Sequence, residues 1–168
     1  MRITKYIIKS FLSFLSVTIL FGGGGCSVYS TFPQEESDSW ISWNPKDPPV
    51  PQIVAATITE ASVDCGLSNA TFSLTSGMNK EVYDKVIHRL NTRGSNIKPM
   101  VSNVVGVHTT MIRVRGFRAE VDVVVPDKNK NPVFKTYYLK RKTVGGFVVV
   151  DRKVWDLPVE WPKIHSAN

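Results

Sequence analysis

Phe117, Ala119, Val121, Val123 and Val125 alternate with Arg118, Glu120 and Asp122, and no other stretch of this chain restricts the fold so tightly. A period of two marks a strand with one buried and one wet face. Pro126 removes a backbone donor and DKNKN (127–131) is polar turn chemistry, so the strand is expected to end there. Residues 133–142 (VFKTYYLKRK) form a second run rich in aromatic and β-branched side chains. Gly145 and Gly146, which both accept positive φ, then separate it from FVVVDRKVW (147–155). The spacing predicts an antiparallel meander of three strands over 112–155. Its hairpin register stays open, because a two-residue and a four-residue loop put Leu139 on different faces.

Upstream, residues 79–93 carry the clearest helical signal. Asn79 can cap it, Glu81 and Asp84 sit near its positive end, and Arg93-Gly94 gives a stop. Val82, Tyr83, Val86, Ile87 and Leu90 make one apolar stripe at helical spacing. Residues 53–64 read weakly as a strand, with Ala55, Ala56 and Ala61 keeping a helix open as the alternative. SNATFSL (68–74) either extends the sheet or forms a loop. Pro99 bars a central strand start, while 101–107 can pair into the sheet with Gly106 as a bulge or bend. The expected class is α+β: one amphipathic helix packed on the concave face of a curved antiparallel sheet of about four to five strands.

The first 26 residues have a separate logic. Arg2, Lys5 and Lys9 precede an apolar run, FLSFLSVTILF (11–21), then Gly22 to Gly25, then Cys26. The run is too short to span a bilayer, which takes roughly 20 residues, and suits a secretory signal. This pattern resembles a bacterial lipoprotein signal peptide. The resemblance implies that residues 1–25 are removed and that the Cys26 thiol is lipidated, the cysteine becoming the mature N-terminus. Ser27, where an aspartate would favour retention at the inner membrane, implies the periplasmic face of the outer membrane. Residues 26–52 then read as lipidated cysteine and extended tether, with Pro33, Pro45, Pro48, Pro49 and Pro51 resisting regular structure. Trp40 and Trp43 are unusual in a spacer and suit packing on the domain, the membrane interface or a docking motif. Residues 53–168 are expected to form a single domain.

The net charge is +7 overall, and residues 113–153 alone hold eleven cations against four anions. Arg113, Arg115, Arg118, Lys140 and Lys142 mark a candidate basic face for an anionic ligand, with a plain solvated surface as the other reading. Export carries that face away from nucleic acid. Cys26 and Cys65 are the only cysteines, and a disulfide between them is one option. His88, His108 and His165 are scattered, and neither a phosphate loop nor a Gly-x-Ser-x-Gly elbow occurs. No catalytic residue, metal ligand or cofactor is therefore assigned. The one acid–base pair worth naming is Asp122 with His108, although Asp122 falls on the polar side of its strand.

The ending TYYLKRKTVGGFVVVDRKVW, together with the preceding helix, resembles the cystatin-like and nuclear-transport-factor-two-like α+β group over about 79–155. That resemblance implies a helix wrapped by long hairpins around a cone-shaped pocket. Anchor, tether and small domain together suggest a non-enzymatic envelope lipoprotein: membrane-bound through its lipid, with another envelope protein as partner. Two alternatives stay open: a binder of a small or anionic ligand on the concave sheet face, and a cone-fold pocket enzyme.

Overall fold

The computed structural model describes residues 29–34, 44–101 and 105–164, so Cys26, Trp40, Trp43 and His165 lie outside it. Seven strands and two helices are described. In chain order they are β1 (Tyr29–Phe32), α1 (Val50–Asp64), β2 (Thr71–Ser73), α2 (Lys80–Thr92), β3 (Lys98–Pro99), β4 (Val107–Arg115), β5 (Arg118–Pro126), β6 (Pro132–Lys142) and β7 (Gly146–Trp155). The α+β class holds. The sheet is larger than the expected four to five strands and is mixed, because β2 runs parallel to both β3 and β4. Its order is β3-β2-β4-β5-β6-β7, and β1 also pairs with β4. Along one edge of β4, β2 meets Val107 and His108 while β1 meets Ile112 to Arg115.

The long meander forms as its alternation demands. Phe117, however, lies in the Gly116-Phe117 turn instead of on β5 and is 70% exposed. The β5–β6 loop is organised by Asp127, whose Oδ1 accepts from the backbone N–H groups of Asn129 and Asn131 at 2.8 and 2.7 Å. The Asn131 bond, the larger effect, and the Asn129 bond hold its carboxyl below the usual range. The β6–β7 connection has three residues between the Lys142–Gly146 pair, and a bulge follows at Tyr138/Leu139. Leu139 stands opposite Ala119 of β5, on the buried face, at 2% exposure.

Helix α2 follows its sequence signals closely. Asn79 Oδ1 accepts from the Val82 N–H at 3.2 Å, and Gly94 takes the left-handed φ of 71° that ends the helix. Helix α1 corrects the strand reading of 53–64. Val50, Ile53, Val54, Ala55, Ile58 and Ala61 are all completely buried, but so are Thr57 and Ser62 to within 5%, while Val63 is 73% exposed, so no clean amphipathic stripe advertises the helix. Its hydroxyls avoid a desolvation cost by bonding back one turn: Thr57 to Ile53 O, Thr59 to Ala55 O and Ser62 to Ile58 O, at 3.0, 2.9 and 2.7 Å.

The tether reading is corrected at two places. Tyr29–Phe32 is a sheet strand, and Val50 to Gln52 belong to α1. Both helices contribute to one core with the sheet face that carries Ile112, Val114, Val121, Val123, Tyr137 and Leu139. Each large side chain buried there contributes about 1.5–3 kcal/mol. Pro99 sits where a proline can, in the two-residue outermost strand β3. Among the described residues, no helix is long and apolar enough to cross a membrane.

Candidate binding face

Cross-strand partners share a face, so the register of β4, β5 and β6 fixes which side chains stand together opposite the helices. Reading inward from one end of this outer face, the first row is Arg115, Arg118, Lys140 and Val148, and the next is Arg113, Glu120, Tyr138 and Asp151. The third is Met111, Asp122, Thr136 and Lys153, and the fourth is His108, Val124, Phe134 and Trp155. Four of the five basic residues singled out in the sequence therefore meet within two rows. Lys142, two residues beyond Lys140, continues the same face at the mouth of the hairpin. The basic side chains lie opposite the helices, not under them as a concave-face site requires.

These cations differ in their commitments. Arg113 is half-buried and holds Asp122 Oδ1 at 2.8 Å and Glu120 Oε2 at 3.1 Å. Asp122 is only 6% exposed, and its Oδ1 also accepts from the Thr136 hydroxyl at 2.7 Å. Thr136 in turn accepts from Trp155 Nε1 at 2.9 Å. The cluster is thus a closed polar network that fixes strands β4 to β7 together. Burying a carboxylate here is tolerable because the Arg113 guanidinium and the Thr136 hydroxyl both donate to its Oδ1. Beside it, Arg113, Arg115, Arg118, Ala119 and Glu120 line a cavity of about 270 Å³. Arg118, which lines it, and Lys140 and Lys142 on the same face are exposed.

The fourth row is covered. His108 and Val124 are only 2% and 3% exposed on the side opposite both described helices. The chain after Trp155 reaches this row. Trp161 places its ring 5.3 Å from that of His108. Three strand spacings separate Trp155 from His108, about 14 Å, and six extended residues reach about 20 Å. The C-terminal segment therefore straps this end of the face, with Val159 and Trp161 half-buried and Pro158 and Glu160 exposed. His108 Nδ1 lies 2.8 Å from the Ser73 hydroxyl. The Asp122–His108 pair considered from the sequence shares this face, but Arg113 and Thr136 hold the carboxylate while Ser73 and Trp161 engage the imidazole.

A second polar group, missed in the sequence, closes the far end of α1. Asp64 accepts from Tyr137 Oη at 2.9 Å and pairs with Arg152 at 2.6 Å. Next to it, the half-buried Cys65 thiol lies 3.7 Å from Lys135 Nζ. Burial pushes that thiol up, and Lys135 offsets only part of the effect. A suspected bridge to Cys26 lies outside the described residues. No group of three His, Cys, Asp or Glu that could hold a metal occurs among the described residues. His88, on α2, lines a separate cleft of about 480 Å³ with Pro48, Pro51, Gln52 and Lys85.

In comparisons with known proteins, no family model, no curated protein and no solved structure matches this chain.

Proposed function

We propose that this chain is a lipid-anchored protein of the bacterial envelope, on the periplasmic face of the outer membrane, whose domain works by binding another envelope protein and not by catalysis. The observation that carries the reading is the order of parts at the N-terminus: a charged start, a short apolar run, small residues and Cys26. The first sheet strand begins only three residues later, at Tyr29. A diacylated or triacylated cysteine holds such a domain at a bilayer, since each buried methylene contributes about 0.8 kcal/mol. Intact mass of membrane-extracted protein, wild type beside Cys26→Ser, tests the anchor. The expected product starts at Cys26 with added acyl mass, and a full-length unmodified chain would sink the proposal. Crosslinking in intact cells tests the partner, and recovery of the monomer alone would count against it.

A second reading, an anionic ligand, is favoured by one specific observation: the in-register row Arg115, Arg118 and Lys140 beside the 270 Å³ cavity. Guanidinium groups match carboxylate or phosphate oxygens in pairs. Thermal melts with anionic glycans, lipids and metabolites examine it, and an unmoved midpoint across the set would dismiss it.

A further inference from the structure

The basic row does not stand alone at its end of the sheet. The β4–β5 turn and the β6–β7 loop both reverse there, and each presents an apolar tip to solvent: Phe117 at 70% and Val144 at 85% exposure. The Arg141 backbone N–H donates to the Phe117 carbonyl at 2.8 Å, so the first tip is fastened beside the strand that leads to the second. Arg115, Arg118, Lys140 and Lys142 stand exposed on the outer face at this end, and Arg141, between the last two, is exposed on the other face. The carboxylates of that outer face, Glu120 and Asp151, stand one row inward, and Glu120 is engaged by Arg113. The loop at the other end of the meander makes the contrast. Residues 127–131 are DKNKN, with no apolar side chain and with an ionised Asp127 at its centre.

The N-terminus enters the fold at the same end. Tyr29 pairs with Arg115, so the chain ahead of Tyr29 leaves the sheet beside the basic row. Cys26 is three residues away, at most about 10 Å of extended chain. That is close to one Debye length at physiological salt, about 8 Å, so lipid charge there is felt by the arginines and lysines. We infer that this end of the domain docks on the anionic headgroups of the bilayer holding the Cys26 anchor, with Phe117 and Val144 entering the interface and the five cations lying along it. The inference rests on the lipid-anchor reading and names the anion of the second one. Apolar tips ringed by cations suit a headgroup layer, because the rings and methyls reach the acyl boundary while the charged heads stay at the phosphates. The consequence is a domain held in one orientation, with the 127–131 loop turned away from the lipid.

The test uses the acylated full chain in a Cys65→Ser background, reconstituted into phosphatidylcholine vesicles with or without phosphatidylglycerol. Single nitroxides are placed at Phe117→Cys, Val144→Cys or Asn129→Cys, and the 144 label leaves Phe117 intact. With phosphatidylglycerol, labels at 117 and 144 should gain collisions with oxygen and lose them with aqueous nickel, while 129 stays in water. Arg118→Ala or Lys140→Ala should each lower the docked-to-undocked ratio at position 144 about fivefold, the equivalent of ~1 kcal/mol per cation near an anionic surface. Labels at 117, 144 and 129 that are equally water-exposed would overturn docking even if the mass shows an acylated Cys26. A tip crosslinked to an acidic protein while remaining in water would overturn it too. A chain without acyl mass would overturn the anchor reading and this inference together.

Discussion

The hydroxyl of Tyr137 donates a 2.9 Å hydrogen bond to Asp64 Oδ2, joining the middle of β6 to the last residue of α1. Burial, and then the bond to Asp64, push the Tyr137 hydroxyl far above the ordinary tyrosine value of 10.0. The folded state thus favours the neutral phenol. Its stabilising effect is whole below pH 10 and is lost as pH rises beyond that. Burial raises Tyr83 as well, so it acts in the same direction. Tyr137→Phe should cost about 1–2 kcal/mol at neutral pH. It should also flatten the fall of the urea midpoint above pH 10, and parallel pH profiles for the two proteins would refute the assignment.

Asp122 is expected to be the most sensitive polar position. Asp122→Ala leaves Arg113 and Thr136 facing a buried gap, a loss of about 3–5 kcal/mol. Asp122→Asn keeps the shape and one acceptor and should cost less. Equilibrium unfolding followed by tryptophan fluorescence reads both, since Trp155 is tied to the same network. Equal midpoints for wild type and Asp122→Ala would mean the network contributes nothing.

Gly106→Ala should be poorly tolerated. A Cβ built there runs into the Thr71 carbonyl oxygen and stands 2.7 Å from Met100 Cε. The methionine end can move, but the backbone oxygen cannot without shifting the β2–β4 pairing. A cost of about 1–3 kcal/mol is expected, and an unchanged melting temperature would show that the approach is looser than described.

Trp161→Ala should release the C-terminal strap while leaving the rest of the sheet folded. Because Trp161 is only half-buried, the expected loss is below the ~3–5 kcal/mol of a core tryptophan. Amide exchange should rise around His108 and Val124 and remain unchanged at β6. Unaltered protection near His108 would show that the strap does not cover that row.

How much of this was legible in the sequence depended on where each element's partners lie. Helix α2 announces itself because Asn79, Gly94 and a single apolar stripe are local signals. Helix α1 does not, since it buries Thr57 and Ser62 and exposes Val63, which blurs the stripe and leaves β-branched residues that mimic a strand. Strand β1 is four residues long and finds its partner eighty or more residues away, at Ile112 to Arg115, so no window around YSTF could reveal it. The basic residues were legible one by one through alternation. Their alignment into one row was not, because it depends on the two-residue Gly116-Phe117 turn and on the register of β5 against β6, which composition does not encode. The Asp64–Tyr137–Arg152 group was invisible for the related reason that its members come from three separate elements.

Strand β1 gives the fold a mechanical character. It runs antiparallel to β4, with Tyr29 at the outer end of the pair and Phe32 opposite Ile112 further in. A pull on Tyr29 along the strand axis loads the β1–β4 hydrogen bonds together in shear instead of peeling them one after another. On the lipid-anchor proposal, force between a membrane and this domain would pass first through that clasp, at the side of a strand flanked on both edges.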